Sequence, residues 1–268
     1  MADVFPSTSL AGVAQSGLFA DLDAETLDAL SDELTTEHLA AGATLFQQGD
    51  VGDSMFFITK GRLGVRITSS TAAESVIDQL LPGVTVGEMS LMTGQPRTAL
   101  AYAIEDTELV RLSKAGFDLL AARQPERVRQ FVNSITPRLL RTQLAEALTH
   151  LFGPFDTATL HEVQAALVWQ RLAPGEALFQ AGDFGDCMYI VVNGLLRIAV
   201  DTPEGERALS EVRRGECVGE FALLTDERRA ATMYAVRASD VVKLWRALFQ
   251  ELIQRHPDAM RRSPPPER

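Results

Sequence analysis

Two Gly-Glu pairs and two later arginines are the residues of this sequence best equipped to do chemistry. Gly87-Glu88 is followed by Arg97, and Gly219-Glu220 by Arg229, nine residues after the Glu in each case. The surrounding segments, VGEMSLMTGQPRTALAYA at 86–103 and VGEFALLTDERRAATMYA at 218–235, are copies of one another. Arg is always charged, and its planar fork suits the oxygens of an anion such as a phosphate. A carboxylate held at a fixed distance from it accepts a hydrogen bond from a hydroxyl. The pair can therefore grip a small molecule with a phosphate at one end and a hydroxyl at the other. Gly87 and Gly219 let the backbone approach closely. The turn at 88–92 can aim free N–H groups at an anion, as the first turn of a helix does. The competing reading is structural: an internal Glu–Arg ion pair that only fixes the loop, formed twice.

The elements that must position these residues are also copied. LFQQGDVGDSMFFITKGRLGV at 45–65 matches LFQAGDFGDCMYIVVNGLLRI at 178–198. Gly49, Gly52 and Gly61 recur as Gly182, Gly185 and Gly194, offset by 133, and from Gly87 and Gly219 onward the offset is 132. A period this long means two tandem domains, not a solenoid of short repeats.

Each copy opens with a helical spacing of apolar residues, Leu27, Leu30 and Leu34 in the first and Leu160, Val163 and Leu167 in the second. Short β-rich runs follow, punctuated by Gly, Asp and Pro. The most strand-like are at 55–58 and 188–192, each ending in a tight turn at Lys60-Gly61 or Asn193-Gly194. The expected fold is mainly β with flanking α-helices: two small jelly rolls, each with a closing helix. A helical stretch at 113–152 carries an apolar stripe from Val128 to Leu151, and Pro137 within it should kink or split it.

Composition narrows the function. The 268 residues allow two domains of ordinary size, and 46% of them are hydrophobic, as a packed protein requires. The net charge of −11, with no basic block, argues against a nucleic-acid partner. No apolar run approaches the ~20 residues of a membrane-spanning helix. The N-terminus lacks the basic and apolar regions of a signal peptide. Cys187 and Cys217 fit neither a zinc spacing nor a disulfide framework, and read as small buried hydrophobes in a reducing cytosol. The four histidines are scattered, so no metal or cofactor is expected.

The glycine frame, the Gly-Glu and the Arg, in order and twice, resemble tandem cyclic-nucleotide-binding domains with their phosphate-binding cassettes. The first cassette is similar to that of the regulatory subunit of cAMP-dependent protein kinase. The resemblance covers 17–125 and 150–256. Around it lie a lead at 1–16, a connector at 126–149 that the apolar stripe marks as helical, and a tail at 257–268 whose Pro-rich, charged end is expected to be disordered. The resemblance implies that Arg97 and Arg229 bind an exocyclic oxygen of the cyclic phosphate of cAMP or cGMP, and that Glu88 and Glu220 accept from the ribose 2′-hydroxyl. Gly87 and Met89 with Thr98 and Ala99 complete the first candidate site. Gly219 and Phe221 with Ala230 and Ala231 complete the second. Thr98 tilts the first site slightly toward guanine.

The copies differ in places. Asp226-Glu227-Arg228 replaces Gly94-Gln95-Pro96, which sets acids beside the second phosphate position; Arg228 reads as a solvated surface charge. Ser113 is a plausible N-cap for the first closing helix. Trp245 takes that place in the second, where core packing is the expected role and an aromatic lid over a base the alternative. There is no Gly-x-Ser-x-Gly elbow or other catalytic constellation. No helix-turn-helix follows the second copy, and residues 1–16 contain no inhibitory arginines. The second copy also resembles the regulatory region of bacterial patatin-like phospholipases of the neuropathy target esterase type, whose patatin domain is not among these residues. The resulting expectation is a non-catalytic, cytoplasmic cyclic-nucleotide sensor whose ligand moves the closing helices. Its effector would be a patatin-type hydrolase domain or another protein, and an oligomer is compatible with it. The alternatives are a degenerate tandem module that docks a protein or membrane partner, and the regulatory part of a lipid hydrolase.

Overall fold

The computed structural model describes residues 13, 18–19, 22–68, 74–202, 205–225 and 227–255. The lead expected at 1–16, apart from Val13, the tail expected at 257–268, and Asp226 lie outside these. The chain divides into two compact units, 1–139 and 140–268.

The first unit opens with helix α1 (Ala24–Ala29), capped by Asp23, whose side chain accepts from the amide of Thr26 at 2.7 Å. The helical spacing expected through Leu34 stops sooner. Leu30 closes α1, and Leu34 already begins strand β1 (Leu34–Leu39). Strands β2 (Thr44–Phe46), β3 (Ser54–Lys60), β4 (Leu63–Thr68), β5 (Glu74–Leu80) and β6 (Thr85–Val86) lead to the short helix α2 (Glu88–Thr93). Strands β7 (Leu100–Ala103) and β8 (Thr107–Ser113) follow, then helix α3 (Lys114–Arg123) and the start of helix α4 (Pro125–Phe152), whose residues from Leu140 onward belong to the second unit. Two four-stranded antiparallel sheets result, in the orders β1-β8-β3-β6 and β2-β7-β4-β5.

Strand alternation explains how the first unit is packed. Met55 and Phe57 of β3, with Val110 and Leu112 of β8, leave the barrel and join Leu30, Phe117, Leu120, Val128 and Phe131 in one core. Phe19 meets Phe57 edge-on at 4.9 Å between centroids. Ser113 is the N-cap of α3, accepting from the amide of Gly116 at 3.0 Å. The long helical stretch breaks at Gln124 (φ −132°, ψ 55°) and not at Pro137, which lies inside α4. The residue before a proline is pushed out of the helical region, so Pro125 ends α3 and occupies the first helical position of α4.

The second unit repeats the plan. Helix α5 (Thr157–Ala166) is capped by Asp156. Strands β9 (Val168–Leu172), β10 (Ala177–Phe179), β11 (Cys187–Asn193), β12 (Leu195–Thr202), β13 (Gly205–Arg213) and β14 (Cys217–Val218) precede helix α6 (Glu220–Thr225). Strands β15 (Thr232–Ala235) and β16 (Ser239–Trp245) and helix α7 (Arg246–Arg255) complete it. The sheets run β9-β16-β11-β14 and β10-β15-β12-β13, the same orders as in the first unit. Even the irregularities recur, with register shifts between Ile58 and Lys60 and between Val191 and Asn193. The turns at Gly61 (φ 83°) and Gly194 (φ 113°) are left-handed, as expected. A Cβ at Gly61 would lie 2.4 Å from the Asp106 carbonyl oxygen, so only glycine fits.

Candidate functional site

Each cassette begins with a glycine in the left-handed region, Gly87 at φ 85° and Gly219 at φ 82°. The reason lies ten residues on. A Cβ at Gly87 would sit 2.5 Å from Nη1 of Arg97, and one at Gly219 would sit 2.2 Å from Nη1 of Arg229. The absent side chain is the space the guanidinium occupies.

The two arginines are held alike. Arg97 donates from Nη1 to the Gly87 carbonyl at 2.6 Å and from Nη2 to the Ser54 carbonyl at 2.8 Å. Arg229 donates to the carbonyls of Gly219 at 2.8 Å and Cys187 at 2.6 Å. Each guanidinium carbon stands 4.4 Å from an aromatic centroid, Phe46 in the first unit and Phe179 in the second. Both arginines are 5% exposed. Burial lowers the Arg97 pKa, opposed by Asp53, Glu88 and Asp50, yet a guanidinium retains its charge at any physiological pH. In each cassette the arginine Nε is buried with no hydrogen-bond partner.

The carboxylates differ. Glu88 opens α2, is 2% exposed, and accepts from Nη2 of Arg138 on α4. The same Arg138 nitrogen reaches Thr85 Oγ1 at 3.3 Å. Burial pushes the Glu88 carboxyl up from its ordinary value, with Arg138 acting in the opposite direction. Glu220 is half-buried, and burial also raises its pKa, opposed by its own backbone and by Arg229. In both, Oε2 is buried and unpartnered. The Glu–Arg ion pair within the cassette, the structural alternative from the sequence, is not formed in either copy. Arg97 and Arg229 spend their Nη donors on backbone carbonyls, and Glu88 pairs with a helix outside the cassette.

The remaining candidates are neighbours of these groups along the chain. Met89 and Phe221 occupy the first turns of α2 and α6, Phe221 exposed and Met89 half-buried. Thr98 is half-buried and Ala99 buried, whereas Ala230 is exposed and Ala231 half-buried. Arg228 is exposed, donates to the Gly182 carbonyl at 2.7 Å and lies 4.0 Å over the Phe184 ring, so it is a surface group bound to its own loop. Trp245 is not a core residue: it is 41% exposed, with Lys243 Nζ 4.3 Å from its ring centroid. The N-cap role of Ser113 has no counterpart there, because an indole offers no acceptor for an amide. Cys187 is buried and Cys217 partly so, and neither forms a disulfide.

Sequence reasoning missed Arg138. It lies outside the repeated cassette, fifty positions from Glu88, and one more arginine on a helix carries no local signal. It also missed Phe46 and Phe179, although each sits in the repeated Leu-Phe-Gln and could have been marked as copied aromatics.

Comparison with known proteins gives the same architecture a family. The model of the cyclic nucleotide-binding domain matches residues 36–124 and again 169–256. The chain belongs to the cyclic nucleotide-binding domain family. It carries two copies of that domain in tandem. Patatin-like phospholipase domain-containing protein 6 of Pongo abelii is 30% identical over 235 residues, covering 87% of this chain. This chain spans 16% of that relative's length. The cAMP-dependent protein kinase regulatory subunit of Dictyostelium discoideum is 26% identical over 88% of this chain and 70% of its own. Among solved structures, the regulatory domain of Toxoplasma gondii PKA, crystallised with cAMP, aligns over 95% of this chain and 94% of its own. That alignment has 24% identity and a TM-score of 0.40. No helix among the described residues is long and apolar enough to cross a membrane.

Proposed function

We propose that both cassettes bind a cyclic mononucleotide, cAMP or cGMP, and that the chain senses it for an attached or associated effector. One observation carries the reading. Each cassette holds a buried donor, the arginine Nε, and a buried acceptor, the glutamate Oε2, that the protein leaves unpartnered. Unpaired buried polar atoms are costly unless a ligand satisfies them. A phosphate oxygen answers the donor and a ribose hydroxyl answers the acceptor. In the first unit the ligand also reaches the closing helix, because Glu88 is already bonded to Arg138 of α4. A hydroxyl on Glu88 changes the charge and geometry that Arg138 meets. This is a physical route from pocket to helix, driven by the ligand's different affinity for two helix positions.

The effector proposed is a patatin-type hydrolase, favoured by the relatives that share most of this chain. Calorimetry of the whole chain with cAMP and cGMP tests the binding. The expected result is saturable heat at up to two sites. Absence of heat and of a melting shift at millimolar nucleotide overturns the reading in favour of a docking scaffold.

A further inference from the structure

Both barrels carry a cation at the same rung of the same strand pair and treat it differently. Arg111 of β8 faces Phe56 of β3, and Lys243 of β16 faces Tyr189 of β11. Arg111 is neutralised. Its Nη2 lies 3.5 Å from Asp53 and its Nε 3.9 Å from Glu37 of β1. In the second unit the place of Glu37 is taken by Gln170: Glu37 faces Leu109, and Gln170 faces Val241 on the equivalent strand. Asp186 stands where Asp53 does, yet among the described residues Lys243 makes no ion pair and sits instead between two rings. Its Nζ lies 4.3 Å from the Trp245 centroid and 5.7 Å from that of Tyr189.

Alternation puts Lys243 on the same sheet face as Tyr189, Val191 and Val241, the face that lines the barrel. Arg229 lies against the same Tyr189 ring, 6.0 Å from its centroid. Arg229 and Lys243 thus flank one aromatic side chain. Arg229 is 5% exposed, but Lys243 stands at a more open rim, between the part-exposed Trp245 and Val168, which is 50% exposed and pairs directly with Lys243. Cation–π contacts hold an ammonium in place but do not neutralise it, and an ammonium so placed remains a strong donor to an incoming anion. At the equivalent rung of the first unit Arg111 is not such a donor, because an anion there would have to displace Asp53 and Glu37 from it.

Resting on the nucleotide-binding reading above, we propose that the second site is a two-anion site. Arg229 takes the cyclic phosphate and Lys243 takes a second phosphate of the same ligand. Its ligand class is a nucleotide with two phosphates, such as a cyclic dinucleotide, whereas the first site takes a cyclic mononucleotide.

Both tryptophans, Trp169 and Trp245, belong to the second unit, which provides the assay. In a Trp169→Phe chain, Trp245 is the sole tryptophan, and its emission reads the Lys243 site while the first site stays intact. Titration with cAMP, cGMP, cyclic di-AMP and cyclic di-GMP should show at least one cyclic dinucleotide binding about tenfold or more tighter than either mononucleotide, the size of one charge-assisted contact. The preference should shrink at high salt. Lys243→Met should erase it and leave mononucleotide affinity within about twofold, and Lys243→Arg, which keeps the charge, should retain it. Mononucleotide binding with no gain for a dinucleotide overturns this inference and leaves the sensor reading standing. A Lys243→Met chain that weakens all four ligands equally also overturns it. If none of the four moves Trp245 and calorimetry shows no heat from the second unit, nucleotide binding by this unit fails, and the inference with it.

Discussion

Replacing Arg138 by Met should loosen the first cassette and leave the second untouched. The Glu88 side chain is 3% exposed and that of Arg138 is 21% exposed. One oxygen of Glu88 already lacks a partner, so losing Arg138 strands the whole carboxylate. Breaking a buried pair in this way costs ~3–5 kcal/mol, and the partial exposure of Arg138 places the loss near the lower figure. About 3 kcal/mol is a factor of roughly a hundred in a local opening equilibrium. Tryptophan fluorescence cannot see it, since both tryptophans lie in the second unit. Hydrogen exchange on the full chain can. Amides of α2 (Glu88–Thr93) should exchange about a hundredfold faster in Arg138→Met, and those of α6 (Glu220–Thr225) should be unchanged. The pH dependence separates charge from packing. The pair acts only while Glu88 is ionised, and burial raises its pKa above the ordinary 4.5. The pair's contribution is therefore lost as pH falls through that raised value, and wild type and variant should converge there once intrinsic exchange is corrected. Adding Glu88→Gln to Arg138→Met should recover most of the loss at neutral pH. A loss independent of pH, or unaltered exchange in α2, would refute the ion-pair argument.

Three further outcomes follow from the same geometry. Arg97→Leu should cost stability as well as first-site affinity, because it strands the carbonyls of Gly87 and Ser54 at ~1–3 kcal/mol each, while Arg97→Lys should lose less of both; paired melts and binding isotherms check it. Glu220→Gln should flatten the pH dependence of stability: with a folded pKa above 4.5, the native second unit binds a proton that the unfolded chain has released, so stability falls as pH rises from about that value through the folded one. The variant should thus melt higher at neutral pH and bind nucleotide more weakly at the second site, and an unchanged slope counts against a buried carboxylate. Gly219→Ala should destroy second-site binding, because its Cβ would lie 2.2 Å from Arg229 Nη1, whereas Gly215→Ala, at φ 86° with nothing within 4 Å, should show only backbone strain; calorimetry and melting of the two distinguish a clash from a conformational cost.

Duplication, the strand-rich plan and the Gly-Glu-Arg cassettes were legible in the residues themselves, because each is a local pattern. Turn glycines, alternating strands and a capping serine act within a few positions, and a second copy of the glycines and strands separates those signals from chance. Local signals failed at boundaries. Leu34 kept helical spacing yet begins β1, where six residues pair with β8. The helical stretch broke at Gln124 because Pro125 starts a new helix there, while Pro137 was absorbed within α4.

Tertiary structure alone decided what each charged group faces. Nothing along the chain says that Arg97 would bond two carbonyls and leave Glu88 to Arg138, or that Lys243 would lose the acids that hold Arg111. Those partners come from separate strands and helices, brought together by packing of apolar faces that is indifferent to which charge rides on the other side. Sequence fixes which side chains can do chemistry at a site. Folding assigns their counter-charges, since a buried charge takes whatever partner or ligand its neighbouring elements happen to present.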